Sequence, residues 1–174
     1  MRKIHVSELR AIAPSLKCGE QILLSGKVYT ARDAAHKRFF KALEDGNDLP
    51  FDIKDSVIYY CGPTPAPNGL PIGSAGPTTS KRMDPYAPRL YDMGMLATIG
   101  KGERSREVTE AIKRNGALYL CALGGAGALA AKSITSLKIT AFAELGCESV
   151  KEIELDSFPL FVACDTLGNS IYDK

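Results

Sequence analysis

"QILLSGKVYTARDAAHKRFFKALEDG" (Gln21–Gly46) changes its period halfway along. Its first eleven residues alternate apolar and polar side chains around a glycine, as a strand or a bent hairpin does. Beyond Ala31 the apolar positions Ala35, Phe39, Ala42 and Leu43 recur at helical spacing, and Gly46 supplies a stop. A strand that runs straight into a helix is the building unit of an α/β fold.

The same alternation repeats downstream. "SVIYYCG" (Ser56–Gly62) is a continuous apolar run ending in Gly-Pro, which predicts a strand buried on both faces and delivering a loop. The stretch that follows, to Pro77, is too dense in proline and glycine for regular structure. Asp84-Pro85 then reads as an N-cap and first helical residue, opening a helix through "YAPRLYDMG" (Tyr86–Gly94). "LATIGKG" (Leu96–Gly102) predicts a strand entering a glycine turn. "ERSREVTEAIKRNG" (Glu103–Gly116) predicts a polar amphipathic helix closed by Asn-Gly. "ALYLCALGG" (Ala117–Gly125) is another buried strand, followed by a small-residue helix, "AGALAAKS" (Ala126–Ser133).

Past residue 133 the chain turns strand-rich. "ITSLKITAFAELG", "VKEIELDSF" and "PLFVACDTLGN" predict strands with turns between them. The fold expected is α/β, in layers: a sheet covered by helices, with a second strand-rich layer.

The 174 residues fit one domain, large enough to bury roughly 70% of the surface of the unfolded chain. With 45% hydrophobic and 24% charged residues, the composition is that of an average soluble domain. A net charge of +2, with cations and anions interspersed, offers no basic stripe for nucleic acid or a membrane surface. The opening "MRKIHVSELRAIAP" lacks the apolar run of a secretory leader, and no window has the ~18 apolar residues of a membrane span. Five cysteines without a C-x-x-C, and only two histidines, argue against a zinc site and for a reducing cytoplasm.

Three strand ends meet glycine turns or helix starts that also carry a cation: Arg32, Arg82 and Lys101. Unpaired N–H groups and helix dipoles at such ends favour anions, so the coincidence points to a carboxylate or phosphate site. Each cation also has a plain reading. Arg32 and His36 lie four apart on one helical face, as solvated residues do, and Asp33 with Lys37 reads as an exposed helix pair. "GAGALAA" (Gly125–Ala131) lacks the spacing of a nucleotide loop, and close helix–sheet packing accounts for it. Thr78 and Thr79 follow Gly-Pro at a helix start, where a hydroxyl serves as an N-cap or, beside Arg82 in a dry and cationic setting, as a base.

"TARDAAHKR" (Thr30–Arg38), "CGPTPAPNGLPIGSAGPTTSKRMDPY" (Cys61–Tyr86), "IGKG" (Ile99–Gly102), "GALYLCALGGAGALAA" (Gly116–Ala131) and "ELGCESVKEIELDSFPLFVACDTLGN" (Glu144–Asn169) together resemble the beta subunit of class I fumarases and L(+)-tartrate dehydratases. In longer relatives this region is the C-terminal domain of one chain. The resemblance implies a swivelling β/β/α domain in an iron–sulfur hydro-lyase. It implies a 4Fe-4S cluster held by three cysteines of an alpha subunit, none bound by this chain alone, and a pair of alpha–beta units. By the same resemblance, Arg32, Arg82 and Lys101 bind a carboxylate of a dicarboxylate substrate, and Thr78 is the catalytic base. Gly62, Pro63, Thr64, Gly73, Ser74 and Thr79 shape the substrate pocket, and His36, which follows Arg32 in the matching motif, has no more than a supporting role. The activity implied is reversible hydration of fumarate to L-malate, or dehydration of L(+)-tartrate to oxaloacetate. A non-catalytic anion-binding module is the reading from a different class.

Overall fold

The computed structural model of the protein describes residues 1–122 and 127–173. Among these residues seven strands form one hydrogen-bonded sheet: β1 (Arg2–His5), β2 (Gln21–Thr30), β3 (Val57–Tyr59), β4 (Ala97–Gly100), β5 (Leu118–Cys121), β6 (Ile134–Ala141) and β7 (Val150–Cys164). The first five run parallel in sequence order, so their C-terminal ends lie on one side. The 15-residue β7 runs antiparallel to both β2 and β5 and closes the sheet on itself. Phe161 marks the closure, pairing with Gln21 on one side and Cys121 on the other. β6 flanks the first half of β7. The second strand-rich layer is therefore continuous with the first.

Among the described residues five α-helices, α1 (Val6–Ile12), α2 (Asp33–Glu44), α3 (Ala87–Asp92), α4 (Arg106–Asn115) and α5 (Gly127–Lys132), occupy the connections. Strand alternation sorts the apolar residues into two cores. Val57, Tyr59 and Cys61 point into the closed sheet with Leu24, Val28, Ile99, Leu120 and Phe158. Ile58 and Tyr60 point outward, under Phe39 of α2, Leu90 and Tyr91 of α3, and Val108 and Ile112 of α4. Phe39 is fully buried, and its truncation to alanine would cost about 3–5 kcal/mol. A sheet buried on both faces is why β3, β4 and β5 read as unbroken apolar runs.

Gly26 lets β2 bend as a single strand instead of a hairpin. Its φ of +110° suits glycine, and a Cβ there would sit 2.8 Å from His5 Nε2. Facing Ser25, β7 carries one extra residue, and within that bulge Ser157 takes a φ of 51° and donates its N–H to Ser25 Oγ at 2.9 Å. "VKEIELDSF" and "PLFVACDTLGN" thus belong to one bent strand, and the expected turn between them is a β-bulge. "ITSLKITAFAELG" is strand only to Ala141, and Ala143–Glu148 is a 3-10 helix.

The helix after Pro85 begins at Ala87 with Tyr86 as its N-cap, not Asp84. Asp84 is drawn off because its carboxylate accepts the Ser105 N–H at 2.6 Å, just before α4. The small-residue helix appears as α5 from Gly127, and the residues expected to lead into it, 123–126, lie outside the described residues.

Candidate functional site

Arg32, the Tyr60–Gly62 turn and Lys101 follow the C-terminal ends of β2, β3 and β4, the side where open α/β sheets gather ligands. The chain returns to these ends at Thr78–Ser80 and lies across them. Thr78 donates its N–H to the Tyr60 carbonyl at 2.7 Å, Thr79 bridges to Lys101, and Ser80 donates its N–H to the Lys101 carbonyl at 2.9 Å. Backbone pairing therefore sets Thr78 between two strand ends.

What fixes this segment lies underneath it. Ser80 is fully buried, and Tyr119 Oη stands 2.9 Å from Ser80 Oγ and 2.7 Å from the Gly102 carbonyl oxygen. Gly100 carries no Cβ because one would collide with Ser80 Oγ. Asp84 pairs with Arg104 at 2.7 Å, with the two side chains 8% and 2% exposed. Arg104 also donates to Thr98 Oγ1 at 3.0 Å and to Tyr60 Oη at 3.3 Å, and lies over the Tyr60 and Tyr119 rings. A satisfied polar network in a low-dielectric interior holds groups rigidly.

Thr78 is half-buried, and among the described residues its hydroxyl caps no helix. The helical turn that follows is a 3-10 helix, Ser80–Met83, whose N-cap is Thr79, without a side-chain cap bond.

Arg82 reaches back to the start of α2. Its Nη2 lies 2.8 Å from Asp33 Oδ2, and its Nε donates to Asp33 Oδ1 at 3.1 Å. The expected Asp33–Lys37 pair is absent: Asp33 faces the strand ends, where Arg82 gives it one hydrogen bond and one ion contact, and its Oδ2 is buried without a hydrogen-bond partner among the described residues. Arg32 lies alongside, with Nε 4.0 Å from both Asp33 Oδ2 and Glu148 Oε1. That Nε is buried without a hydrogen-bond partner among the described residues.

Glu148 also accepts the Ala34 N–H at 3.4 Å, capping α2 from outside, since Arg32 at the N-cap has no side-chain cap of its own. Lys151 braces the turn that presents Glu148. Its Nζ is caged by Gly146 O (3.2 Å), Cys147 O (3.1 Å), Ser149 O (3.2 Å) and Ser149 Oγ (2.8 Å), and burial lowers its pKa.

His36 is not a solvated helix residue. It is fully buried among Phe39, Tyr60 and Tyr86, and its Nδ1 lies 2.7 Å from the Arg32 carbonyl oxygen. Burial pushes its pKa down to about 4; the bond to Arg32 opposes that shift. The imidazole is therefore neutral near pH 7, donates from Nδ1, and leaves Nε2 buried and unpartnered among the described residues.

Gly62 packs against Arg32, where a Cβ would come within 3.1 Å of Arg32 Cδ and Nη1. Thr64, Gly73 and Ser74 form a separate pinch at the neck of the proline-rich loop. Ser74 donates its N–H to Thr64 Oγ1 at 2.7 Å, Thr64 its N–H to Ser74 O at 2.9 Å, and Gly73 its N–H to Thr64 O at 3.2 Å. Pro63 is buried at the base of this loop. Among the described residues no hydrogen bond or ion pair joins the pinch to Arg82 or Lys101.

The structure thus gathers Arg32, Gly62, Thr78, Thr79, Arg82 and Lys101 around three strand ends. It adds Asp33, which the sequence offers only as a helix partner of Lys37, and Glu148 and Arg104, which the sequence does not single out. Arg104 gave no signal, since it sits in a charged run of the kind that faces solvent.

No group of three or more His, Cys, Asp or Glu side chains among the described residues is arranged to hold a metal ion. Cys61, Cys121 and Cys164 are buried in separate strands or near their ends, Cys18 is half-buried and Cys147 is exposed. No helix among the described residues is long and apolar enough to cross a membrane.

A family model described as Fumarase C-terminus matches residues 1–174. "Fumarate hydratase 2" of Leishmania major is 40% identical over 174 residues, covering 99% of this chain and 31% of its own length. "Fumarate hydratase class I, aerobic" of Escherichia coli (strain K12) is 38% identical over 171 residues, 97% of this chain and 31% of its own length. "Putative L(+)-tartrate dehydratase subunit beta" of Methanocaldococcus jannaschii is 39% identical over 165 residues, 91% of this chain and 85% of its own length. The chain therefore spans under a third of the two fumarate hydratases and most of the tartrate dehydratase subunit.

Proposed function

The chain belongs to the fumarase C-terminus family, and on that premise we propose that it is the beta subunit of an iron–sulfur-dependent fumarate hydratase. It acts with a separate alpha subunit, in a reducing cytoplasm, on the reversible hydration of fumarate to L-malate. The observation that carries this reading is the gathering of Arg32, Arg82, Lys101 and Thr78 at adjacent parallel strand ends.

Removing a proton from carbon next to a carboxylate builds negative charge, which preorganised cations stabilise best where water is excluded. Arg32, Arg82 and Lys101 take the substrate carboxylate that enters this side of the cleft. Lys101 has no ion-pair partner among the described residues, so its charge is available to a ligand. Guanidinium forks fix a carboxylate in orientation as well as in place.

Thr78 then exchanges the proton with the adjacent carbon. Its hydroxyl is not engaged in capping, and the surrounding cations favour the deprotonated oxygen that a base requires. Neutral His36 supports Arg32 by gripping its carbonyl from below. The 4Fe-4S cluster belongs, in this reading, to the alpha subunit, and the scatter of cysteines here supports that assignment. Pairing of two alpha–beta units completes the assembly proposed.

L(+)-tartrate dehydratase is the second reading. It is favoured by one observation, that the chain covers 85% of a relative named as that enzyme's beta subunit. Purifying the chain with a cognate alpha subunit, reconstituting the cluster and measuring turnover of L-malate and L(+)-tartrate tests both. Malate turnover that needs both chains is the expected result. Full activity from the alpha chain alone would overturn the proposal.

A further inference from the structure

Asp33 stands between the two guanidinium groups of the site and is bonded to one of them. It takes the Nε and Nη2 edge of Arg82, at 3.1 Å and 2.8 Å, from a residue 49 positions away in sequence. The Nη1 of Arg82 has no hydrogen-bond or ion-pair partner among the described residues. Asp33 Oδ2 is also 4.0 Å from Arg32 Nε.

Its carboxylate opens α2, where the helix dipole favours a negative charge. The Arg82 side chain is 51% exposed, and ion pairs that open to solvent add little to stability. Holding the fold is therefore a poor account of this contact. Its geometry suits orientation: the Nε–Oδ1 hydrogen bond and the Nη2–Oδ2 ion contact hold the planar group at two places, with Asp33 Oδ2 buried and without a hydrogen-bond partner among the described residues.

We propose that Asp33 is a positioning residue: it holds Arg82 by one edge and Arg32 beside it, so that the remaining donors of both meet the substrate carboxylate. This rests on the role given to Arg82 in the proposed function. Arg82 on its own would sample many rotamers, and binding would then have to order it. The anion also leaves the site less cationic than its arginines and lysine alone would make it, which tempers the attraction for inorganic anions.

The test compares wild type, Asp33→Asn, Arg82→Gln and the double variant, each assembled with the cognate alpha subunit. Asparagine turns a donor toward the Arg82 fork and breaks the two-point contact. Asp33→Asn is expected to raise KM for the dicarboxylate about tenfold while kcat moves less than about threefold. In the Arg82→Gln background the same change should move KM less than about twofold, because Asp33 acts through Arg82.

A second readout needs no activity. In the isolated, isotopically labelled chain the Arg82 Nε–H should be protected from solvent exchange, and Asp33→Asn should abolish that protection; Asp33→Ala serves if the asparagine variant does not fold. An unprotected Nε–H in the wild type, or equal KM shifts in both Arg82 backgrounds, would overturn the inference. A protected Nε–H together with a wild-type complex that turns over neither malate nor tartrate would instead count against the parent reading alone.

Discussion

Arg104 and Asp84 form an ion pair beneath the strand-end site, with Nε 2.7 Å from Oδ1 and both side chains buried. The pair fastens the loop that carries Thr78 and Arg82 to the turn ahead of α4. Removing one partner strands a charge in the interior, which typically costs ~3–5 kcal/mol. Arg104→Leu should therefore lower the free energy of urea unfolding by about that amount. A loss under about 1 kcal/mol would mean that water reaches Asp84.

Thr78→Ala separates a cap from a base. Loss of a helix cap costs ~1 kcal/mol, whereas the Thr78 hydroxyl caps no helix among the described residues, so the melting temperature of the chain should stay within a few degrees. Turnover of the assembled enzyme should fall by ~10²–10⁴, the range for loss of a general base. Wild-type turnover in Thr78→Ala would remove the base assignment.

The His36 imidazole carries a pH signature of defined sign. Its ordinary value is 6.5, and in the fold burial lowers it to about 4, with Arg104 pushing in the same direction and the Arg32 carbonyl and Asp33 opposing. Between those two values the unfolded chain binds the proton and the folded chain does not. Stability due to this group is whole above the unfolded value, falls as pH drops from 6.5 toward 4, and levels off below. The swing is on the order of 3 kcal/mol. His36→Asn has no charge to gain, so its unfolding free energy should change less between pH 7 and pH 4.5 than that of the wild type. Equal changes in the two proteins would show that His36 titrates normally.

Gly62→Ala tests the seat of Arg32. The new Cβ would lie 3.1 Å from Arg32 Cδ and Nη1 and 3.3 Å from the Cys147 carbonyl oxygen, and the side chain is the softer neighbour. Arg32 should give way, raising KM for the dicarboxylate about three- to tenfold and costing ~1 kcal/mol or less of stability. An unchanged KM would place Arg32 outside the binding step.

Much of the layered fold can be read from local pattern. The switch of period within Gln21–Gly46 is found as β2 and α2, and the apolar runs at Ser56–Gly62, Leu96–Gly102 and Ala117–Cys121 are found as β3, β4 and β5. These succeed because burial on one helix face, or on both sheet faces, leaves a periodic record in the residues themselves. The break expected near Ser157–Pro159 fails for a tertiary reason. A strand can cross such residues when it bulges there, Asp156 and Ser157 of β7 facing the single residue Ser25 of β2, with Ser25 Oγ accepting the Ser157 N–H.

The site divides in the same way. The sequence by itself determined which residue types stand at the ends of β2, β3 and β4, because a cation beside a glycine turn or helix start is a local feature. Only the tertiary structure decided that Asp33 serves Arg82 and not Lys37, that His36 is buried and neutral, and that Arg104 is an interior residue. Charge pairing and burial depend on distances between segments as far apart as Asp33 and Arg82, which packing of the strands brings together and neither segment records.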